Sequence, residues 1–570
     1  MEWDIVIVGG GSAGCVLANR LSADPSRRVL LCEAGSDMPK GGVPADILDN
    51  YAQSAYMNAA YRWPGLKVSF DRVRRNAPGG ARPAPGTYYQ ARVMGGGSAI
   101  NGQFANRGAP SDYDEWEALG ATGWSWRDVL PYFKAIERDL DVDDAFHGQA
   151  GRIPVRRIGR ELWDGYAMAC GKAYAAAGFP YLADQNGAYQ DGYFAPAIAN
   201  AYDRRVTSAM GYLDSATRNR PNLTVVADCH VVGLELDGLR CTGVRARVAA
   251  GIETFRAKTV ILAAGALHSP TMLLRAGIGP GGHLRRHGVE VVADRPGVGQ
   301  RLMEHPAIGV ASFVTPAARV NDLSRRHMQV ALRYSSGIGG APPGDMIVFN
   351  ASKSTWHAVG RQIASDLIIV YKTYSQTGFV ELASPDPDAA PVVEFDLLSD
   401  SRDLERLRDG FRRVAALHRS PALAEVATRP FPASYHRHAH RFSSMSAKNR
   451  LAMEAVAAVL DRSESARRLL IDRYVAGSHG IADMVADQDL LDEFIATSVT
   501  GAWHPSCTCR MGAEADPMAV TDPEGRVHGI AGLRVCDASI FPVVPCANTN
   551  FPVYMVAEKI AAAMLKDVRA

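Results

Sequence analysis

The sequence predicts an α/β protein with two domains or one elaborated domain, and three observations support this prediction. Its 570 residues exceed what one ordinary hydrophobic core holds. Near the N-terminus, an apolar β-branched run passes through a glycine-rich turn into a helical pattern. Between residues 222 and 265, alternating apolar segments separated by glycine-containing turns indicate neighbouring strands.

Composition narrows the class of partner before any motif is considered. The chain has 62 Lys and Arg against 60 Asp and Glu, a formal net charge of +2. So balanced a charge creates no field that would gather nucleic acid or anionic lipid, and we expect neither as a partner. No uncharged run approaches the roughly 18 residues of a membrane span. The start lacks the features of a signal peptide, so we expect a cytoplasmic protein.

The nine cysteines are odd in number and lie mostly in apolar surroundings such as VLLCEAG. We expect reduced, buried thiols rather than a disulfide framework.

The first element, WDIVIVGGGSAGCVLANRLS, reads as strand, tight turn and helix. Gly9 permits the turn, Gly11 lets the backbone approach a pyrophosphate, and Gly14 allows close packing of the helix. The helix N-terminus offers free N–H groups and the positive end of its dipole. A glycine-rich turn with no ligand is the alternative for this motif taken alone.

The second strand, RRVLLCEAG, ends in Glu33, which follows Gly14 by 19 residues. An acid at this position accepts hydrogen bonds from the ribose hydroxyls of an adenosine. It favours FAD or NAD over NADP, because a carboxylate repels the extra phosphate of NADP.

A second glycine cluster, ARVMGGGSAINGQFANRG, spans residues 91–108 and predicts a loop with close backbone approach. At this motif the chain resembles the glucose-methanol-choline (GMC) family of FAD-dependent oxidoreductases. VILAAGALHSPTMLLRAGIGP resembles another family signature, with Ala276 where Ser is usual. PGVGQRLMEHP resembles a third, with Arg301 and Glu304 as departures. The residues that match the second flavin-contacting motif are Gly95, Gly96, Gly97, Ser98 and Asn101.

The resemblance implies a Rossmann-like FAD-binding domain and an α+β substrate-binding domain built on an antiparallel sheet. The FAD-binding domain would comprise residues 1–155, 195–315 and 500–570, and the substrate-binding domain residues 156–194 and 316–499. FAD is expected to bind non-covalently, because Ile100 stands where some members carry the histidine that tethers the flavin. The FAD contacts implied by the resemblance are Gly9, Gly11, Ser12, Ala13, Gly14, Glu33, Ala34, Arg92, Gly95, Gly96, Ser98, Asn101, Gly102, Val231, Ala264, Trp503, Asp537, Ala538, Asn548 and Thr549.

The segment GAWHPSCTCRMG, residues 501–512, contains the candidate catalytic base. In the resembled family His504 occupies the position of the catalytic histidine, and Asn548 that of its hydrogen-bonding partner. Taken alone, a single histidine is more often structural. Cys507 and Cys509 raise the alternatives of a zinc site or a strained disulfide, but no second cysteine pair lies at zinc-like spacing. We expect no metal.

The resemblance implies FAD-dependent oxidation of a primary alcohol to the aldehyde by hydride transfer, with His504 as base. VLPYF, DQN, DGYF and the Trp503–His504 context resemble bacterial oxidases of 5-hydroxymethylfurfural and aryl alcohols, so we expect an aromatic or furanic substrate. The electron acceptor stays open between O₂ and a quinone, and no oligomeric state is predicted. Alternatives are a quinone-dependent dehydrogenase of choline, a polyol, polyethylene glycol or pyridoxine, and a hydroxynitrile lyase.

Two further segments carry no assigned role. SYHRHAHRF places His436, His438 and His440 at period two, and we expect a solvated basic loop rather than a metal site. Residues 445–475 predict one or two amphipathic helices.

Overall fold

The computed structural model describes residues 2–38, 42–70, 84–321, 323–433, 445–474 and 479–566, and in this part of the chain two large sheets form the framework. The predicted His436, His438 and His440 lie outside the described residues. The helices and strands are mixed along the chain, so the predicted α/β class is confirmed.

The first sheet contains the N-terminal strand at its centre. Glu2–Val8 pairs in parallel with Val29–Cys32 on one side and with Gly251–Leu262 on the other. Ile5 to Val8 are buried, as expected for a strand covered on both faces. In sheet order, the strands are Leu223–Val226, Val29–Cys32, Glu2–Val8, Gly251–Leu262, Arg240–Val248 and His230–Asp237, with Leu533–Val535 also pairing with Gly251–Leu262.

The turn after the first strand requires glycine at two positions. Gly9 has φ +106°, and a Cβ there would lie 2.5 Å from the carbonyl oxygen of Ala263. A Cβ on Gly14 would lie 1.8 Å from the carbonyl oxygen of Gly9. The helix Ser12–Leu21 therefore packs directly against the turn, and the C-terminal helix Asn550–Lys566 packs against that helix.

The second large sheet is antiparallel. Its longest strand, Pro306–Val314, lies second in the sheet order and is buried throughout. This strand and Thr500–Gly501 pair within the second sheet, although the ranges drawn from the sequence group both with the FAD-binding domain. In sheet order, the strands are Ala427–Ala433, Pro306–Val314, Ile363–Val370, Met346–Ala351, Met328–Tyr334 and Gly192–Phe194, with Thr500–Gly501 beside Pro306–Val314.

Each large sheet has its own hydrophobic core. Small sheets surround them, formed by Gln300–Leu302, Gly378–Glu381 and Val392–Glu394; by Glu137–Asp139, Ile153–Arg156, Ile198–Ala201 and Arg204–Arg205; by Ile278–Gly279 with Ala293–Asp294; and by Lys67–Val68 with Gly86–Thr87.

The helices cover both sheets. In the 445–475 segment there are two, as the pattern allowed. Within the described ranges, no helix has the length and apolar character that crossing a bilayer requires. The two helices of the 445–475 segment are Ala447–Arg462 and Glu464–Tyr474. The remaining helices are Ala45–Leu48, Gln53–Tyr56, Gly97–Ile100, Pro110–Ala118, Trp126–Ile136, Gly165–Ala176, Ser208–Tyr212, Ser215–Arg218, Gly265–Arg275, Gly281–Arg286, Ser401–Leu417, Pro421–Ala424, Ile481–Ala486 and Gln488–Ser498, with short 3₁₀ turns at Ala59–Tyr61, Arg160–Leu162, Pro316–Ala318, Ala358–Gln362 and Ala538–Ile540.

Candidate active site

A cavity of about 440 Å³ lies between the carboxyl ends of the parallel strands and one face of the antiparallel sheet. This is where nucleotide ligands bind in α/β sheets. Most residues predicted to contact FAD line it: Gly9, Gly11, Ser12, Ala13, Glu33, Ala34, Gly96, Asn101, Gly102, Val231, Ala264, Trp503, Asp537, Ala538, Asn548 and Thr549.

The start of the helix Ser12–Leu21 fits a pyrophosphate. Gly11, Ser12 and Ala13 line the cavity, and a Cβ on Gly11 would meet no atom closer than 3.8 Å. The open side of Gly11 leaves room for a ligand to approach the backbone. The helix N-terminus adds free N–H groups and a positive dipole end.

Glu33 lies beside this turn with its carboxylate buried. One oxygen accepts from the N–H of Gly10 at 2.7 Å, and the other from the N–H of Gly35 at 2.8 Å. Burial raises the pKa of Glu33, and the two backbone N–H groups oppose that shift. The carboxylate is thus held in place at the cavity wall, where ribose hydroxyls can donate to its remaining lone pairs.

Beyond Glu33 the cavity wall is aromatic, which the sequence did not indicate. The ring of Trp63 packs against His268 at 4.5 Å and against His230 at 5.4 Å between centroids. The guanidinium of Arg92 lies 4.9 Å from the centroid of the Trp63 ring. These flat groups suit an adenine. These residues are separated by about 200 positions and form no local motif, so the sequence pattern did not predict that they meet at the cavity wall.

At the other end, Asp537 is fixed by several donors. One carboxylate oxygen accepts from the N–H of Gly265 at 2.8 Å and from the hydroxyl of Ser269 at 2.5 Å. The other accepts from the N–H of Ser539 at 2.8 Å. Burial raises its pKa while these donors oppose the shift.

Four residues predicted to contact FAD do not line the cavity. Gly14 lies behind the turn. The N–H of Gly95 donates to the Gly10 carbonyl at 2.7 Å, and Ser98 donates its hydroxyl to the Gly95 carbonyl at 2.6 Å. The Arg92 side chain donates to the Ala34 carbonyl at 3.0 Å. These four residues support the cavity wall from behind.

The structure brings His504 and Asn548 together at the cavity wall. The His504 Nε2 atom lies 3.0 Å from the Asn548 Nδ2 atom. On its other side, His504 Nδ1 lies 2.8 Å from Nδ1 of His305. Burial, followed by the influence of His305, lowers the pKa of His504 well below its usual value. The imidazole is therefore neutral near pH 7.

Glu304, from the PGVGQRLMEHP segment, fixes the backbone that carries His504. Its buried carboxylate accepts from the N–H of Ala502 at 3.2 Å and from the N–H of His504 at 2.7 Å. Burial raises the pKa of Glu304 to about 8, and backbone N–H groups limit the shift. The residue between the two donors, Trp503, has φ +62°, a strained conformation for a non-glycine residue.

Trp503 is 42% exposed, and its ring lies 6.0 Å from that of Tyr88 and 5.6 Å from that of Tyr56.

The antiparallel sheet gives the cavity an apolar wall. On two adjacent strands, Phe349 lies opposite Leu367, and Ile369 follows on the same face. Met328 and Phe104 complete this wall. Among the described residues that line the cavity, the carboxylates are those of Glu33 and Asp537, both held by backbone donors.

Glu304, His305 and His504 place potential metal ligands within 4.8 Å of one another. The Glu304 oxygens already accept backbone N–H groups, and Nδ1 of each ring is engaged by the other ring, whereas Nε2 of His305 has no hydrogen-bond partner among the described residues. All nine cysteine side chains are buried, as predicted, and Cys507 and Cys509 belong to the core of the first sheet.

Known proteins resemble this chain in sequence and in fold. Two GMC oxidoreductase family models match residues 3–307 and 374–557. The chain is 42% identical over 575 residues to a 5-(hydroxymethyl)furfural oxidase of Methylovorus sp. (strain MP688), covering 99% of this chain and 98% of the relative. It is 31% identical to an oxygen-dependent choline dehydrogenase of Sinorhizobium fredii, over 98% of this chain and 95% of the relative.

Among solved structures, pyridoxine 4-oxidase from Mesorbium loti superposes with a TM-score of 0.81 at 28% identity, over 99% of both chains. The chain therefore belongs to the GMC oxidoreductase family and is an FAD-dependent alcohol oxidoreductase.

Proposed function

We propose that this enzyme oxidises a primary alcohol on a flat aromatic or furan ring to the aldehyde, with His504 as base and Asn548 as hydrogen-bond donor. The observation that carries the proposal is the contact of 3.0 Å between His504 Nε2 and Asn548 Nδ2 at the cavity wall. It supplies one acceptor and one donor beside the space for a hydroxyl.

The proton transfer needs both groups. An alcohol about as weakly acidic as water has a pKa of ~15.7, whereas imidazolium has one of ~6.5. This gap of about 9 units corresponds to roughly 13 kcal/mol, so imidazole alone does not ionise the alcohol. Asn548 donates to the oxygen on which charge develops and lowers this barrier.

The groups then act in a defined order. His504 takes the hydroxyl proton at Nε2, and the carbon–oxygen double bond forms as hydride leaves the same carbon. When bound, FAD supplies the acceptor for that hydride. Departure of the hydride removes the developing alkoxide charge before it accumulates.

The cavity wall supports an uncharged, flat substrate. Phe349, Leu367 and Ile369 offer apolar area to a ring. Among the described residues that line the cavity, the carboxylates are those of Glu33 and Asp537, and both are tied to backbone N–H groups. Within this part of the chain, none stands beside the apolar wall to balance a quaternary ammonium. A furanic or benzylic alcohol fits this surface better than choline, and the 42% identical relative is named for a furanic compound.

We further propose O₂ as the electron acceptor. Two of the relatives named above are an oxidase and an oxygen-dependent dehydrogenase, which supports the choice.

Anaerobic mixing with a panel of benzylic and furanic alcohols tests the reaction. We expect flavin absorption to bleach with these alcohols and to persist with choline. Persistent absorption with every alcohol, together with cyanohydrin cleavage, would instead identify a lyase. The same panel run with O₂ and with an artificial quinone, with peroxide measured, tests the acceptor: slower turnover with O₂ than with the quinone would contradict it.

A further inference from the structure

Five side chains form a continuous hydrogen-bonded chain through the site, and it begins at a backbone amide. All five are buried or at the cavity wall. The contacts run from the N–H of Ala197 to Oε1 of Gln185 at 3.1 Å, from Gln185 Nε2 to Asn106 Oδ1, from Asn106 Nδ2 to Asn548 Oδ1 at 2.5 Å, from Asn548 Nδ2 to His504 Nε2 at 3.0 Å, and from His504 Nδ1 to His305 Nδ1 at 2.8 Å.

The backbone amide decides the direction of every later bond. An N–H can only donate, so the Gln185 atom facing Ala197 must be its oxygen. The Gln185 NH₂ group then faces Asn106, which must accept through its own oxygen. This in turn makes the NH₂ group of Asn106 the donor to Asn548. Hydrogen-bond partners are what define the orientation of such amides.

A second donor supports the orientation of Asn548. The hydroxyl of Tyr371 donates to Asn548 Oδ1 at 2.9 Å and accepts from Asn106 Nδ2 at 3.0 Å. Two donors therefore converge on the Asn548 oxygen. Turning the amide over would bring its NH₂ group against that of Asn106, which cannot accept.

The orientation of Asn548 fixes the proton on His504. Because Asn548 donates to Nε2, that nitrogen must be unprotonated, and the single proton of the neutral ring lies on Nδ1. The Nδ1–H then donates to Nδ1 of His305. His305 accepts there and carries its own proton on Nε2.

We propose that Gln185 and Asn106 are positioning residues that set the tautomer of His504. They keep Nε2 unprotonated, so that it can accept the substrate proton once the substrate hydroxyl takes the place of its hydrogen bond with Asn548. The inference deepens the proposed function and rests on it for its catalytic meaning, since Nε2 is the atom assigned to take the substrate proton. Neither Gln185 nor Asn106 touches the substrate space directly; each acts through Asn548.

The loop that carries Gln185 is anchored on both sides. Asp184 accepts from the guanidinium of Arg157 at 2.5 Å. Asn186 accepts from the N–H of Arg107 at 3.3 Å and donates to the carbonyl of Ala105 at 2.9 Å. Residues 184–186 thus hold Gln185 against residues 105–107. The Gln185 side chain therefore has little freedom to adopt another orientation.

An isosteric substitution of Gln185 should reverse the direction of these hydrogen bonds without changing the shape of the side chain. In Gln185→Glu, the carboxylate still accepts from Ala197 but offers Asn106 no hydrogen. Asn106 and then Asn548 turn over to satisfy it, and the Asn548 oxygen faces His504. Nε2 must then carry the proton, which leaves no base at the cavity.

The tautomer is read directly from the ring ¹⁵N chemical shifts of His504, in holoenzyme labelled with [¹⁵N]histidine. The resonance is assigned by its absence from His504→Gln. We expect an unprotonated Nε2 and a protonated Nδ1 in the wild type and the reverse in Gln185→Glu. Flavin reduction by a benzylic alcohol should slow by at least ~10²-fold in this variant, with FAD retained.

Gln190→Glu is the matched control, because it adds the same charge five residues along, on an exposed side chain, and leaves the hydrogen bonds from Gln185 to His504 intact. It should keep the wild-type shifts and rate within about threefold. If Gln185→Glu does not fold with FAD, Asn106→Asp interrupts the chain one step later and carries the same expectation. Wild-type ring ¹⁵N chemical shifts of His504 in a folded Gln185→Glu or Asn106→Asp protein would overturn the inference. Reversed shifts with an unchanged reduction rate would support the inference and overturn the role of His504 as base.

Discussion

His504 sits between two groups from distant parts of the chain, and this determines its chemistry. Asn548 donates on one side and His305 contacts the other. Because burial lowers the pKa of His504, the ring enters the reaction neutral and able to accept a proton.

Replacing His504 by Ala should lower kcat/KM for an aromatic alcohol by about 10²- to 10⁴-fold, as expected for loss of a general base. FAD content should stay at the wild-type level, because the nucleotide motifs are untouched. Asn548→Ala should slow flavin reduction less than His504→Ala. Stopped-flow reduction and flavin absorbance measure both quantities. Near-complete loss of FAD from the Asn548 variant would instead make this residue a cofactor holder.

Motifs of consecutive residues were predictable, and long-range partners were not. Gly9, Gly11 and Glu33 follow from the order of strand, turn and helix, and the structure puts all three at the cavity. The His305 contact to His504 spans 199 residues, and the Asn106 contact to Asn548 spans 442. Glu304 and His305 lie in the PGVGQRLMEHP segment, whose residue spacing does not indicate that they contact the His504 backbone and ring.

At the scale of elements, the first turn and helix depend on glycine for two different reasons. Gly14 has a carbonyl oxygen 1.8 Å from where its Cβ would be, whereas Gly11 faces open space with its nearest neighbour at 3.8 Å. Gly14 is needed for close packing of the helix, and Gly11 for the approach of a ligand to the backbone.

Gly14→Ala should therefore destabilise the fold and weaken FAD binding together. An overpacked contact of this kind destabilises by about 1–3 kcal/mol. Gly11→Ala is the matched comparison: its apoprotein should melt as the wild type does, while FAD affinity falls. Thermal melting with and without FAD, and titration of apoprotein with FAD, separate the effects. Equal melting losses in both apoproteins would contradict this division.

The strand Pro306–Val314 begins immediately after His305 and pairs on both sides within the antiparallel sheet. We propose that the FAD-binding part of the chain ends near residue 305, not 315, and that Thr500–Gly501 also belongs with the substrate sheet. A continuous apolar strand reads the same in either sheet, so sequence periodicity could not assign it.

Across the whole molecule, a buried ion network joins the Gln185 loop to residues 107, 137–147 and 157. Burial alone would lower the pKa of His147, but Asp139, Asp184 and Glu137 together raise it to about 10. Arg107 pairs with Glu137 in the same network. The cationic ring holds these segments together only while it is protonated.

Because the pKa of His147 is raised in the folded protein, its contribution to the free energy of unfolding should fall as the pH rises. Its stabilising contribution is fully present below the unfolded value of ~6.5 and is lost as the pH rises through about 10. His147→Gln should destabilise near neutral pH, because it removes the cation shared by Glu137, Asp139 and Asp184. The loss should be smaller than the ~3–5 kcal/mol of an uncompensated buried charge, since Arg107 and Arg157 still pair with these carboxylates. The difference from the wild type should shrink towards pH 10.

Arg413→Gln is the control for this experiment, because it removes a partly exposed pair with Asp409 and should change stability by less than about 1 kcal/mol. Calorimetric melting of the three proteins across the alkaline range measures the effect. A His147→Gln deficit that stays constant with pH would show that the ring is not charged in the folded protein.

The two walls of the cavity come from different sheets, each with its own core. Met328, Phe349, Leu367 and Ile369 can therefore be varied in a combinatorial library without touching a nucleotide-holding residue. A library restricted to these four sites should change which alcohols the apolar wall admits, and flavin absorbance would report which clones still hold FAD. Phe349 and Ile369 also belong to the core of the antiparallel sheet, so their truncation should cost stability.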